Sequence, residues 1–137
     1  MSLVLGSSVA LAWVYREERS EAIAAVFEQV TEAGAWVPSL WRLEVANVLE
    51  MGVRRGRIDA AFRDATLADF ELLPIQADPE TETHAWRSTL RLAERHRLTV
   101  YDASYLELAL RRGLPLASLD RELRAAAGTE NVALMAE

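Results

Sequence analysis

The chain contains no cysteine and no lysine. Without thiols it forms neither disulfides nor thiolate metal sites, and cysteine nucleophile chemistry is excluded. Histidine is scarce: His84 and His96 lie in or beside one predicted helix, with no partner evident in the sequence. That scarcity argues against an imidazole-rich zinc site and against a Ser-His-Asp triad. No apolar run approaches the ~20 residues that span a bilayer. The N-terminal stretch MSLVLGSSVALAWVYREE has no basic segment ahead of its apolar residues, which argues against a secretory signal and is compatible with the cytoplasm. Low-complexity tracts, internal repeats and linkers are absent too. A single domain over residues 1–137 is expected, long enough to bury one core.

What remains is ordinary for a globular protein: 51% hydrophobic and 26% charged residues. The net charge of −6 at first opposes a nucleic-acid partner. Two details soften this. All 15 basic residues are arginine, which grips phosphate bidentately, although a GC-rich coding bias yields the same composition. Acids gathered in one pocket would also be neutralised by the cations they bind. If the protein is an enzyme, carboxylates and a hard cation are its tools.

Short apolar runs alternate with helical periodicity along the chain. Val4-Leu5 reads as a strand, with Ser7 or Ser8 capping the helix that follows. A second helix over 19–33 has Ala22, Val26, Val30 and Ala33 on one face, and Gly34 stops it. Ala35-Trp36-Val37 is a strand, and Ser39 caps a long helix to about Arg55, with Leu40, Leu43, Val48 and Met51 on its buried side. Asp59 caps the next helix, 73–76 is a strand, and 79–96 is one helix. Two βα units follow, with strands at 98–101 and 116–119, then a short strand at 132–134. The expected fold class is a three-layer α/β/α sandwich around a mostly parallel sheet.

In such sheets ligands bind beyond the carboxyl ends of the strands. Asp102 and Asp120 each end an apolar run there and open a helix, and Glu44 lies on the first turns of the helix after the Trp36 strand. Either aspartate alone reads equally well as an N-cap. Three acids converging on one mouth repel unless a cation sits among them, which points to Mg²⁺, with Mn²⁺ as a substitute. Such an ion activates water and stabilises charge on a phosphoryl oxygen, so metal-dependent phosphodiester hydrolysis is the reaction class expected. A nucleotide-binding Rossmann or flavodoxin reading is disfavoured, because GSSVALAW lacks the glycines that admit a pyrophosphate.

The segments VLGSSVALAW, VPSLWRLEVANVL, LTVYDASYLELAL and GLPLASLDRELRAAA resemble, in order and spacing, the PIN-domain ribonucleases, and more narrowly the VapC toxins of bacterial toxin–antitoxin pairs. The resemblance implies Mg²⁺-dependent cleavage of RNA, tRNA among the candidate substrates, together with a homodimer and a cognate antitoxin that inhibits the active-site groove. It carries Glu44, Asp102 and Asp120 over as the catalytic, metal-binding acids, with Ser118 as a supporting hydroxyl. Ser7 beside the first strand and Asn47, one turn after Glu44, complete the supporting set.

One position departs from the pattern. The residue after the first strand is nearly always aspartate in this family, and here it is Gly6. Three carboxylates fall one charge short of balancing two divalent ions. The expectation is therefore an attenuated or inactive nuclease, the alternative a binding module that keeps antitoxin or RNA recognition. Glycine could also be there simply to make a tight strand-to-helix turn. Of the aromatic residues, Trp36 is expected in the core, whereas Trp13 and Trp41 are the candidates for contact near the mouth. Arg87, Arg91 and Arg95 form a stripe expected to be solvated and paired with Glu94 and neighbouring acids.

Overall fold

The computed structural model describes residues 1–135. Five short strands, β1 (Leu3–Leu5), β2 (Ala35–Val37), β3 (Ile75–Ala77), β4 (Leu116–Ala117) and β5 (Leu134–Met135), make one parallel sheet in the order β3-β2-β1-β4-β5. Parallel neighbours need crossover connections, which helices supply. They are α1 (Ser7–Val14), α2 (Glu21–Ala33), α3 (Trp41–Arg54), α4 (Ala60–Glu71), α5 (Thr81–His84), α6 (Leu90–His96), α7 (Val100–Arg112) and α8 (Arg121–Thr129). Leu3, Val4 and Leu5 are all 0% exposed, so helices cover the central strand on both faces. The α/β sandwich expected from the sequence is the observed architecture.

The strand order places the functional crevice. The chain winds from β1 outward to β2 and β3, then crosses back to β4 and β5 on the other side of β1. The switch point therefore lies between β1 and β4, where an open α/β sheet leaves room for a ligand. Register there is Val4 to Leu116 and Leu5 to Ala117, and the Gly6 amide extends the ladder by donating to the Ala117 carbonyl at 2.8 Å.

Across the sheet, a buried ionic clamp ties α7 to the β3 edge. Asp78 follows β3, is 1% exposed, and donates its amide to Val37 O at 2.8 Å. Its carboxylate accepts from Arg111 Nη2 at 2.5 Å and from Arg112 Nη2 at 3.3 Å. Arg111 is shared with Glu107, and the Arg112 guanidinium lies 3.5 Å over the Trp36 ring. Burial pushes the Asp78 carboxyl up, but hydrogen bonds from Arg111, the Glu80 amide and Thr81 outweigh it and bring the pKa to about 2.

Several local expectations are corrected. Residues 98–101 are not a strand: the Thr99 hydroxyl accepts from the Asp102 amide at 3.1 Å and caps α7, which begins at Val100. The helix expected over 79–96 is broken by a wide turn at Ala85–Thr89, where Arg87 takes non-helical angles (φ −117°, ψ −109°). Trp86 is thrown to solvent there and Thr89 is buried. On α3 the buried residues are Trp41, Val45, Leu49 and Gly52, while Leu43 and Val48 are exposed. That helix offers two apolar stripes, and the indole of Trp41 wins the core. In α2, Ile23 replaces Ala22 on the buried face beside Val26 and Val30, and Ala33 is exposed. Neither Ser7 nor Ser8 caps α1, whose N-cap is Gly6, and α3 starts from Leu40 without a side-chain cap from Ser39. The last strand starts at Leu134, two residues later than expected, and ends at Met135.

Candidate active site

Glu44 rises into the crevice from the first turn of α3. Its carboxylate accepts a hydrogen bond from the hydroxyl of Tyr105, a residue of α7 that is 2% exposed. Ser7, the first residue of α1, faces both groups: its amide and hydroxyl turn toward the phenol oxygen, and its hydroxyl also reaches the carboxylate. Burial, followed by the charge of Glu44, raises the Tyr105 pKa, so the phenol is a permanent donor. Tyr105 was missed in the sequence reading. The available signal was its spacing, one helical turn after Asp102 on the same face of α7.

Asp102 sits in the first turn of α7, half-buried rather than at a strand end. Burial raises its pKa, and the charge of Asp120 raises it further. Glu44 behaves alike: burial raises its pKa, the hydrogen bonds from Tyr105 and Ser7 only partly offset this, and the charge of Asp102 adds to the rise. Asp102 thus lies within electrostatic reach of Glu44 on one side and of Asp120 on the other. Asp120 also caps α8, accepting from the Leu123 amide at 2.8 Å. Ser118, 1% exposed, accepts from the Asp120 amide at 3.0 Å and so orients that turn. Ser8 closes the crevice by accepting from the Leu119 amide at 3.0 Å.

Gly6 forms the floor. Its backbone (φ −67°, ψ 143°) suits any residue, so the turn does not demand glycine's conformational freedom. Space does. A Cβ on Gly6 would stand 2.7 Å from the Ala117 carbonyl oxygen and 3.5 Å from Ser118 Cα. A side chain at position 6 would therefore require the Ala117 carbonyl to shift.

The donor set suits a hard divalent ion in kind. Among the described residues, however, no three acidic or imidazole side chains stand together closely enough to hold one ion. The residues therefore fit an open site, in which one or two carboxylates and several waters hold Mg²⁺, rather than a closed cage. Asp102, with Asp120 or Glu44, would supply those carboxylates.

Other candidates fall away from the mouth. Asn47 is exposed and makes no hydrogen bond to Glu44. Trp13 and Trp41, expected as contact residues, are buried at 7% and 4%, because each ring fills space between helices; Trp36 is only partly buried. Glu17 and Glu18 pair with Arg57 and cannot replace a carboxylate at position 6. His96, which lacked an evident partner, meets Glu130 at 2.7 Å, and Arg95 joins the same carboxylate rather than Glu94. An aromatic groove of about 380 Å³ runs beside α1, α2 and α4, with Trp13, Phe27, Phe62 and Phe70 in its walls.

The family profile of the PIN domain matches residues 3–129. The chain belongs to the PIN-domain family. Ribonuclease VapC3 of Pyrobaculum aerophilum is 34% identical over 127 residues, covering 90% of this chain and 92% of that protein, which places this PIN domain among the VapC ribonucleases. FitAcB from Neisseria gonorrhoeae shares the fold at a TM-score of 0.67 with 14% identity, over 99% of this chain and 97% of that one. VapBC2 from Rickettsia felis, solved bound to a DNA fragment from their promoter, gives a TM-score of 0.65 with 11% identity over 98% and 97%. At those identities the likeness speaks for the fold.

Proposed function

We propose that this PIN domain is a Mg²⁺-dependent endoribonuclease toxin of a toxin–antitoxin pair, attenuated by glycine at position 6. What supports the reading is the family match together with Asp102 lying within electrostatic reach of both Glu44 and Asp120, beside a Gly6 that offers no fourth carboxylate. When bound, Mg²⁺ or Mn²⁺ would polarise a phosphoryl oxygen and acidify water. The protein's own contribution is to orient. Glu44 and Asp102 align a water for in-line attack on phosphorus, and a carboxylate of the cluster takes its proton. The P–O3′ bond breaks and the departing O3′ takes a proton from solvent water, leaving a 5′-phosphate and a 3′-hydroxyl. A single-stranded RNA loop, as in tRNA, is the substrate class.

A cognate antitoxin is the proposed partner, in line with the paired VapBC2 assembly. The aromatic groove beside α1, α2 and α4 offers it apolar anchorage. The proposed state is a homodimer, checked by native mass. Leu43, Leu72 and Trp86, 76–91% exposed, leave apolar surface for such contacts.

The test is Mg²⁺- and Mn²⁺-dependent RNA cleavage by the native chain beside Gly6→Asp, with Gly6→Ala reporting what a Cβ alone costs the strand pair. Weak or absent native cleavage with a gain of at least ~10–100-fold in Gly6→Asp is expected. Comparable cleavage by both would remove the attenuation. Among the described residues no three acids stand together closely enough to hold one ion, which supports a second reading, a binding module without catalysis. Antitoxin or RNA binding with no cleavage by either chain would establish it.

A further inference from the structure

Metal-site carboxylates work only when something behind them holds their orientation, and such supporting groups are easily overlooked because they never touch the ion. In this chain the support behind Glu44 is unusually complete. The carboxylate sits on α3, the phenol that donates to it on α7, and the serine facing both on α1. Three elements separated by as many as 98 positions, from Ser7 to Tyr105, thus meet at one oxygen.

We infer that Tyr105, with Ser7, is a positioning residue that fixes the Glu44 carboxylate, holding one oxygen from behind and leaving the other for a divalent cation at the mouth. The inference rests on the metal-dependent reading above. Geometry carries it. The Tyr105 ring is locked in the core, so its hydroxyl has a fixed place from which to donate. Glu44 is a long side chain at the edge of a crevice, and without that donor it would swing among rotamers toward solvent. The burden on this pair is heavier here than in a site with four acids. Gly6 supplies nothing to brace the neighbouring ligands, so orientation of the remaining three is the available means of holding an ion.

The experiment measures Mn²⁺ affinity from the electron paramagnetic resonance signal of free Mn²⁺, for the native chain, Tyr105→Phe and Ser7→Ala. The same set is repeated in the Gly6→Asp background. Phenylalanine keeps the buried ring, and thermal unfolding checks that each variant is folded. In whichever background binds Mn²⁺, the expected result is a loss of about 10–100-fold in affinity for Tyr105→Phe and a smaller loss for Ser7→Ala. A residue with a merely structural role would lower the melting temperature and leave Mn²⁺ affinity alone. Mn²⁺ binding that changes less than about twofold in a folded Tyr105→Phe would overturn the inference, while the metal reading survives. No Mn²⁺ binding in either background would overturn the metal reading, and the inference with it.

Discussion

Asp120 serves two purposes with one carboxylate: it accepts from the Leu123 amide to start α8, and its charge raises the proton affinity of Asp102. Substitution separates the two. Asparagine caps helices as well as aspartate does, so Asp120→Asn should keep stability within about 0.5 kcal/mol while abolishing any cleavage. Asp120→Ala should lose cleavage and also about 1 kcal/mol, read by chemical denaturation. Glu44→Gln and Asp102→Asn should each abolish whatever activity the chain has, and unchanged cleavage in both would overturn the site assignment. Gly6→Ala should destabilise by roughly 1–3 kcal/mol, because the Ala117 carbonyl must give way. At this scale the acids stood out in the sequence as candidates, although Asp102 lies in a helix capped by Thr99 rather than at a strand end. Tyr105 was half legible: its spacing sets it on the Asp102 face of α7, but only the fold reveals that its hydroxyl ends at Glu44.

Between elements, the clamp of Asp78, Arg111, Arg112 and Glu107 ties the last turn of α7 to the segment that follows β3. Its pH dependence follows from one lowered carboxyl. The folded pKa of about 2 lies below the ordinary 3.8, so the stabilisation is fully present above about pH 4 and is lost as pH falls through 2. The contribution is about 2 kcal/mol. Denaturation of the native chain between pH 5 and pH 2, as order-of-magnitude bounds, should show this loss, and Asp78→Asn should lack that portion of it. At neutral pH the same variant should be destabilised by about 2 kcal/mol, because Arg112 loses its carboxylate partner and Arg111 keeps hydrogen bonds only to Glu107. Most helices could be read from periodicity and stop signals such as Gly34 (φ +80°). The false strand at 98–101 arose because a short apolar run ending in a polar residue satisfies a strand and a capped helix start alike. The Thr99 hydroxyl decides between them locally. The two-stripe ambiguity of α3 had no local resolution, since burial of Trp41 over Leu43 depends on what the sheet and α4 present to that helix.

For the molecule as a whole, an ion bound only by the folded state stabilises it in proportion to its affinity. Saturating Mn²⁺ should therefore raise the melting temperature of Gly6→Asp by several degrees, since a concentration 100-fold above Kd is worth about 2.7 kcal/mol. The native chain should gain much less, and equal shifts would show that position 6 does not limit the site. From residue types and apolar spacing, which local physics reads directly, the sequence by itself determined the α/β fold class, the lack of thiol chemistry and the candidacy of three acids. The departure at position 6 was visible only through the resemblance to the PIN ribonucleases. Tertiary structure alone decided that Asp102 lies near both Glu44 and Asp120, that Tyr105 and Ser7 stand behind Glu44, and that the Ala117 carbonyl crowds the place a Cβ at position 6 would take. Those facts depend on strand order and on contacts between residues far apart in the chain, which no local pattern records.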